Sequence, residues 1–318
     1  MAKLWFLGEA LIDFVAVPAP DGGPAFAPRC GGSPFNAAKA AARAGAEVGF
    51  LGALSTDLFG QMLEADLRAE GVDVTHAPRL DAPTTLAFVD LQAGEPRYAF
   101  FNEATATRMA AFGAAAAAPA PGDVVGFGSI SLIDPPGAEA IADLARAVAG
   151  RAMVALDPNA RPGMTADPAA WRARIGRMLE VAGLVRLSEE DLAFLAPGMG
   201  AADFAAVQLA RGAGLVVVTH GARGAVGFAP GVTVSVPGVA VDVVDTVGAG
   251  DTLMGVLLAG LVAGGHTGGT APRGLDSARL GPLLRQAVAA AALNCTRSGC
   301  APPDVAERAA FVAARGLD

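Results

Sequence analysis

The order in which strand-like and helix-like segments recur constrains the fold of this chain most. The strand-like segments are apolar, and each is followed by a turn and an alanine-rich amphipathic stretch. The strand-like runs are Val124–Gly128, Met153–Leu156, Leu184–Leu187 and Leu215–Thr219, and the helix-like stretches include Ala138–Ala149 and Ala169–Ala182. This alternation predicts a parallel sheet covered by helices on both faces. We therefore expect a three-layer α/β/α fold with a mainly parallel central sheet.

Two regions near the N-terminus interrupt this alternation. Phe14–Cys30 is rich in proline and glycine, and Thr84–Leu91 and Arg97–Phe101 flank a turn, as in a β-hairpin. We expect a small β-sheet, formed from about residues 14–30 and 84–103, that stands off a single domain spanning residues 1–318. Such a sheet could cover a site as a lid or pair with a second subunit in a homodimer. A surface hairpin without a role is the alternative.

Polar residues follow the predicted strands, and we expect them to meet at one edge of the sheet. They are Glu9, Asp13, Asp157, Asn159, Arg161, Ser188, Glu189, Asp191, His220 and Asp251. Open α/β sheets bind ligands at the carboxyl ends of their strands. The pattern therefore favours a catalytic cleft at that edge.

The segment Asp245–Thr252 lies between a strand-like run, Val239–Val244, and an apolar helix-like run, Leu253–Val262. Glycines at such a junction let backbone N–H groups approach an anion, and the helix N-terminus favours negative charge. An acid there would repel a bound phosphate. The conflict disappears if Asp251 accepts a proton from an attacking hydroxyl while Gly248, Ala249 and Gly250 hold the transferred phosphoryl group. An ordinary glycine turn with Asp251 as a helix cap is the alternative.

A second glycine segment, Gly31–Ala38, precedes a helix-like stretch. Paired glycines permit close backbone approach, and Asn36 can donate and accept hydrogen bonds towards a polyhydroxyl ligand. A glycine loop with a solvated Asn36 is the alternative.

Composition excludes several classes of protein. The net charge of −8 argues against non-specific nucleic-acid binding. Lys3 and Lys39 lie in neither a GxxxxGK[ST] loop nor a VAIK-like strand, so P-loop enzymes and the protein-kinase fold are excluded.

Two further features predict the compartment. The three cysteines, Cys30, Cys295 and Cys300, form no CxxC pair, which favours a reduced, cytoplasmic protein. Leu253–Ala263 is shorter than the roughly 20 residues that span a bilayer, so we expect no membrane partner.

The two glycine segments together resemble those of the PfkB (ribokinase-like) carbohydrate kinase family. The resemblance rests on GGxxxN at Gly31–Asn36 and DTxGAGD at Asp245–Asp251, and it covers nearly the whole chain. It implies a ribokinase-like fold with a β lid, and a reaction in which a sugar or nucleoside hydroxyl attacks the γ-phosphate of Mg-ATP. It also implies that Asp251 is the catalytic base and that Gly248–Gly250 form the anion hole.

The resemblance assigns further residues by position. Asp13, Gly31, Gly32 and Asn36 would bind sugar hydroxyls, and Asp157–Arg161 matches a DPNxR segment that brings Arg161 to the substrate. Thr219, Gly221 and Gly224 match a TxGxxG turn beside the nucleotide, where Ser188 and Asn294 are also expected.

The chain departs from the family pattern at its metal positions. An NxxE segment tied to magnesium appears here as Ser188–Asp191, so Asp191 is the expected magnesium residue. Asp245 and Val247 suit a potassium ion, but Pro303 stands where some members have a hydroxyl ligand. The resemblance leaves potassium open.

The opening Gly8–Phe14 is most similar to that of fructokinases, which phosphorylate fructose at O6. The 2-keto-3-deoxygluconate kinases share this opening and the DPNxR segment, and their acidic substrate would need a cation such as Arg97 or Arg108. Other sugar or nucleoside kinases of the family stay open as alternatives. An inactive sugar-sensing regulator is a further hypothesis, which the intact Asp251 and glycine segments disfavour.

Overall fold

The computed structural model describes residues 2–19, 23–92, 95–113 and 115–316. The strands are β1 (Leu4–Leu7), β2 (Leu11–Pro18), β3 (Pro24–Gly31), β4 (Val48–Phe50), β5 (Leu54–Ser55), β6 (Arg79–Leu80), β7 (Thr85–Gln92), β8 (Glu95–Phe101), β9 (Val124–Gly128), β10 (Met153–Asp157), β11 (Ala182–Ser188), β12 (Leu215–Thr219), β13 (Ala225–Ala229) and β14 (Val232–Val236). The α-helices are α1 (Ser33–Arg43), α2 (Leu58–Ala69), α3 (Ala106–Met109), α4 (Gly137–Val148), α5 (Pro168–Leu179), α6 (Glu189–Leu195), α7 (Ala201–Ala210), α8 (Ala249–Ala263), α9 (Ser277–Asn294) and α10 (Val305–Ala314).

The main sheet has eight strands in the order β14-β13-β12-β11-β10-β9-β1-β4. The six strands from β12 to β4 in this order are parallel, and β13 and β14 extend the sheet as antiparallel strands. Alternate residues of the central strands bury their side chains against opposite helical layers, because side chains in a strand alternate between faces. The prediction of a mainly parallel central sheet is confirmed.

The two helical layers form separate apolar cores. Leu4 and Phe6 of β1 belong to the core beneath α1, α2, α8 and α9. Trp5 and Leu7 of the same strand belong to the core beneath α4, α5 and α7. The three-layer α/β/α architecture is therefore present, with the carboxyl ends of β9 to β12 at one open edge.

A smaller sheet stands beside the first strand of the main sheet, in the order β3-β2-β7-β8. β2 pairs antiparallel with β3 and parallel with β7, and β7 pairs antiparallel with β8 as the predicted hairpin. Phe88 stacks on Phe14 with ring centroids 4.6 Å apart, which ties the hairpin to β2.

The structure corrects one predicted strand. The segment Val239–Val244 forms no strand and runs instead as an irregular connection from β14 to α8. Val239 and Val241 pack beside Phe311 of α10, and the Val244 N–H donates to the carbonyl of Cys295, 2.9 Å away, at the end of α9. Val239 and Val241 therefore pack against helices, Val243 and Val244 are exposed, and none of these valines joins a sheet ladder.

No described helix is long and apolar enough to cross a membrane.

Candidate active site

The site is built around the start of α8, where Gly248 is the N-cap residue and adopts a left-handed conformation with φ 74°. The first turn of a helix leaves backbone N–H groups without intrahelical acceptors, and these groups can bind an anion. A Cβ atom on Gly248 would lie 2.2 Å from the Cys300 sulfur, and one on Gly250 would lie 2.8 Å from Nη1 of Arg186. The left-handed backbone and Cys300 therefore require glycine at position 248, whereas a side chain at position 250 would displace the Arg186 guanidinium. Gly248, Ala249 and Gly250 form the glycine nest.

Asp251 lies in the first turn of α8, directly after the nest, and is only 7% exposed. The Ser33 hydroxyl donates to Asp251 Oδ1 over 2.7 Å, and the Asn36 amide donates to Oδ2 over 2.9 Å. Both donors come from the start of α1, so the two glycine segments meet at this carboxylate. A small pocket adjoins it, lined in part by Asp157 and Gly128.

The environment of Asp251 perturbs its acidity in opposite directions. Burial raises the pKa of Asp251, and the hydrogen bonds from Ser33 and Asn36 and the charges of Arg161 and Arg186 lower it, with a net shift upward. A buried carboxylate that is held by two donors and has a raised pKa is suited to accept a proton from a hydroxyl.

Three polar residues at the ends of neighbouring strands lie behind the nest. Arg186 of β11 donates from Nη1 to Asp157 Oδ2 at the end of β10 and from Nη2 to Thr219 Oγ1 at the end of β12, both over 2.8 Å. Burial is the largest influence on Asp157 and raises its pKa to about 6, even though Arg186 opposes the shift. Arg186 is not among the residues predicted from the sequence, where its signal is a single arginine inside the apolar run Leu184–Leu187.

Glu9 binds the backbone at the start of α1 through its carboxylate. Its carboxylate accepts the Ser33 N–H over 3.0 Å and the Ser131 N–H over 3.1 Å. Glu9 is 1% exposed, and burial raises its pKa to about 7. A Cβ atom on Gly32, where φ is 109°, would lie 2.5 Å from the Glu9 carbonyl oxygen. Glu9 therefore fixes the backbone that presents Ser33 to Asp251.

Asp13 lies on β2 beside Gly31 of β3. A Cβ atom on Gly31 would lie 2.5 Å from Asp13 Oδ2, so only glycine leaves room for this carboxylate. Burial raises the pKa of Asp13 to about 6, and the described residues place no hydrogen-bond donor on it. A half-buried carboxylate with unused acceptors is suited to bind a hydroxyl-rich ligand.

The residues expected near magnesium play local structural roles. Ser188 and Asp191 form the capping box at the start of α6, with the Ser188 hydroxyl and N–H both 2.8 Å from Asp191 Oδ2. Asp191 Oδ1 accepts the Ala160 N–H over 2.6 Å. Both Asp191 oxygens are therefore already engaged, and the described residues contain no group of three or more His, Cys, Asp or Glu that could hold a metal ion.

The turn after β12 has positive φ angles at its two glycines, a conformation that glycine adopts readily. Gly221 and Gly224 have φ of 55° and 99°, and the Gly224 N–H donates to the Gly221 carbonyl over 3.1 Å. A Cβ atom on Gly224 would lie 2.1 Å from the Val236 carbonyl oxygen. Thr219 and Ser188 are directly paired in the β11–β12 register, so this turn and α6 begin side by side.

Asn294 is fully buried and connects two loops. Its amide nitrogen donates to the Val247 carbonyl and its oxygen accepts the Ala301 N–H, both over 2.8 Å. Asp245 accepts the N–H groups of Val247 and Gly299. The structure thus places Asn294 as a brace of the loop before the nest, with its amide already paired within the protein.

The three arginines considered for substrate binding differ in position. Arg161 is exposed and donates back to Asn159 and to the Ala160 carbonyl. Arg108 lies 3.9 Å from Asp134 and lines a second pocket together with Glu9. The side chain of Arg97 lies outside the described part of the structure.

An anion nest with a buried carboxylate at its end, set on an α/β/α sheet beside a small β-sheet, defines a carbohydrate kinase of the ribokinase-like fold. The chain belongs to the pfkB family of carbohydrate kinases, whose family model matches residues 1–307.

The relatives agree with this family. A fructokinase of Rhizobium leguminosarum bv. trifolii is 40% identical over 257 residues, which cover 80% of this chain and 78% of that protein. A fructokinase of Xylella fastidiosa with bound ATP superposes with a TM-score of 0.85 at 29% identity, covering 99% of both chains. A fructokinase double mutant of Vibrio cholerae O395, with fructose, ADP and a potassium ion bound, has a TM-score of 0.84 at 28% identity and covers 98% of both.

Proposed function

We propose that the protein transfers the γ-phosphate of Mg-ATP to O6 of D-fructose. The observation that carries this proposal is Asp251, a buried carboxylate held by Ser33 and Asn36 at the end of the glycine nest. The fructose and nucleotide named for the related structures support the choice of substrates.

In this reaction Asp251 accepts the proton of the attacking hydroxyl, and the hydroxyl oxygen forms the new bond to phosphorus. The nest offers N–H groups to the transferred phosphoryl group, whose charge grows on its oxygens. Asp13, Gly31 and Gly32 would bind sugar hydroxyls, Asp13 through its unused carboxylate oxygens. Asn36 binds both Asp251 and the Gly32 carbonyl, so it would orient the hydroxyl towards the base.

The nucleotide would lie along the ends of β11 and β12, beside Ser188, Thr219 and the Gly221–Gly224 turn. Magnesium neutralises phosphate charge and commonly uses few protein ligands. Asp157 fits that role here, because its Oδ1 is buried and has no partner among the described residues. Both oxygens of Asp191 already accept hydrogen bonds within the protein. Asp191 would therefore contribute indirectly, by fixing the backbone at Ala160.

We further propose that the loop before the nest binds a potassium ion. Asp245 and Val247 offer a carboxylate and a carbonyl on the loop before the nest, and their remaining lone pairs would bind the ion, because these oxygens also accept hydrogen bonds from Gly299 and Asn294. Potassium is bound in the Vibrio cholerae fructokinase structure. Replacing potassium by sodium in the assay should lower kcat; equal rates in both salts would remove potassium from the proposal.

The smaller sheet would serve as the lid of this single kinase domain, and two lids could pair in a homodimer. Phe26 and Phe101 on this sheet are 38% and 59% exposed, which supports a contact with a ligand or a second copy. Shortening the β7–β8 hairpin should raise sugar-independent ATP hydrolysis, because a lid excludes water. An unchanged hydrolysis rate, with unchanged sugar kinetics, would rule out the lid role.

The decisive experiment is a Mg-ATP assay with a panel of sugars and the acid 2-keto-3-deoxygluconate. Fructose should give the highest kcat/KM, with the product phosphorylated at O6. Preference for the acid would identify the alternative kinase, and tight sugar binding without any turnover would indicate a sugar-sensing protein. The three unpaired cysteines support a reducing, cytoplasmic compartment for the enzyme.

A further inference from the structure

Arg186 is a buried charge that the proposed chemistry does not yet use. It is 7% exposed, and its strand neighbours Leu184, Val185 and Leu187 are fully buried. Moving a guanidinium out of water is costly unless partners compensate for it. Buried central strands usually carry apolar residues, so the arginine calls for an explanation beyond packing.

The contacts of Arg186 fix the plane of its guanidinium but do not use all of its donors. Nη1 and Nη2 are held by Asp157 and Thr219, each over 2.8 Å. Nε is buried and has no partner within the described part of the chain, and neither has Oδ1 of Asp157. A guanidinium has five N–H donors, so part of this charge is left for something that the protein itself does not supply.

The guanidinium lies directly against the glycine nest. A Cβ atom on Gly250 would lie 2.8 Å from Nη1, 2.9 Å from Nη2 and 3.1 Å from Cζ. Arg186 is also coupled by charge to Asp157, Asp191 and Asp251. Because these carboxylates would repel a phosphoryl group, a fixed positive charge at the nest counters them where the phosphoryl group must lie.

We infer that Arg186 is a positioning residue for the proposed phosphoryl transfer, holding a fixed positive charge against the nest so that the transferred group binds there in line with the attacking hydroxyl. Gly250 lacks a side chain so that the guanidinium can reach this place. Asp157 and Thr219 set its orientation. The inference rests on the proposed function.

The test compares R186M with a matched control, R174M. Arg174 is another buried arginine, 3% exposed, which binds Glu139 and the Leu132 and Ile133 carbonyls away from the nest. R186M should lower kcat about 10²-fold, the scale for one preorganised electrostatic group, with a smaller change in the KM for ATP. R174M should lower the melting temperature but leave kcat per folded molecule unchanged.

The pH profile separates a positioning role from a structural one. The charge of Arg186 lowers the pKa of Asp251, so its removal raises that pKa. Because the base works only when ionised, the acid limb of kcat should move to higher pH in R186M and stay in place in R174M. Unchanged kcat and an unmoved limb in folded R186M would overturn the inference.

G250A covers the case in which R186M does not fold. The added methyl pushes the end of the Arg186 side chain off the nest while alanine favours the helix, so kcat per folded molecule should fall in a variant that keeps the arginine. Wild-type kcat in G250A would contradict the inference.

If the wild type phosphorylates no sugar, the proposed function fails. Calorimetry then still tests the role of Arg186: R186M should weaken binding of ATP but not of adenosine. Equal effects on both ligands would overturn it.

Discussion

The proposed phosphate side and the proposed sugar side of the cleft differ in how many of their polar groups are already paired within the protein. On the phosphate side, which comprises the ends of β10 to β12 and the nest, Asp157 pairs with Arg186 and Asp191 caps α6. On the sugar side, which comprises β2, β3 and the loop before α1, Asp13 is half-buried and has no donor among the described residues. Asp251 lies between the two sides. It belongs to α8 on the phosphate side and accepts hydrogen bonds from Ser33 and Asn36 on the sugar side.

This difference follows from the chemistry of each side. A phosphoryl group in transfer is stabilised by charges that do not reorganise during the reaction, which favours groups fixed by the protein. A sugar brings its own hydroxyl donors, so an unpaired acceptor such as Asp13 becomes satisfied only when the substrate arrives. Mutations on the phosphate side should therefore affect kcat first, and mutations on the sugar side should affect the KM for sugar.

The largest effect should come from D251N, which keeps the shape of the side chain but removes the proposed base. We expect kcat to fall about 10²–10⁴-fold, the usual contribution of a positioned base. Binding of fructose and nucleotide, measured by calorimetry, should stay near wild type because the nest is intact. A variant with near-normal kcat would show that Asp251 is only a helix cap.

The next effect should come from D13N and appear in the KM for fructose. Loss of hydrogen bonds to a charged acceptor is worth about 1.5–3 kcal/mol, so kcat/KM for fructose should fall roughly 10–100-fold with a smaller change in kcat. The pKa of Asp13 is raised to about 6 by burial, so fructose affinity should weaken as pH falls through that value. D13N should bind fructose weakly and without this pH dependence; a dependence that persists would assign it to another group.

Much of the fold and of the two glycine segments could be predicted from the sequence, because short sequence patterns determine them. The alternation of strands and helices predicted the parallel sheet, and the glycines at Gly31–Asn36 and Gly248–Gly250 mark backbone that must approach a ligand closely. The valines of Val239–Val244 were misleading, since β-branched residues also pack against helices, as Val241 does beside Phe311.

The connections between the two sides could not be predicted, because they join residues far apart in the chain. Ser33 and Asp251 are 218 positions apart, and Arg186 meets Thr219 and Gly250 only in the folded sheet. The family resemblance predicts Asn294 beside the nucleotide, and the structure shows its amide buried between two loops. Local spacing predicts which backbone segments bend, and tertiary packing determines which side chains then meet.

A smaller effect, on stability, should follow from N294A on the phosphate side. The variant leaves the Val247 carbonyl and the Ala301 N–H without their partner, which costs about 1–3 kcal/mol in free energy of unfolding. Urea unfolding measures this loss. T296A on the same segment removes one partly exposed hydrogen bond to Leu293 and serves as the control, with a loss of about 1 kcal/mol or less. Equal losses in the two variants would show that Asn294 stabilises the two loops no more than an ordinary hydrogen bond does.

The smallest effect at neutral pH should come from S33A, which tests the hydrogen bond that joins the two sides. The Ser33 hydroxyl lowers the pKa of Asp251, so its removal raises that pKa further. A base with a higher pKa loses its ionised form at higher pH, so the acid limb of kcat should move upward while the rate at pH 8 changes less than about tenfold. S33T keeps the hydroxyl and should restore the limb. S131A removes a buried hydroxyl that donates to the Gly128 carbonyl and makes no hydrogen bond to Asp251, so its limb should match wild type. If S33A and S131A give the same profile, the Ser33 hydroxyl does not set the acidity of the base, and the two sides of the cleft are joined through Asn36 alone.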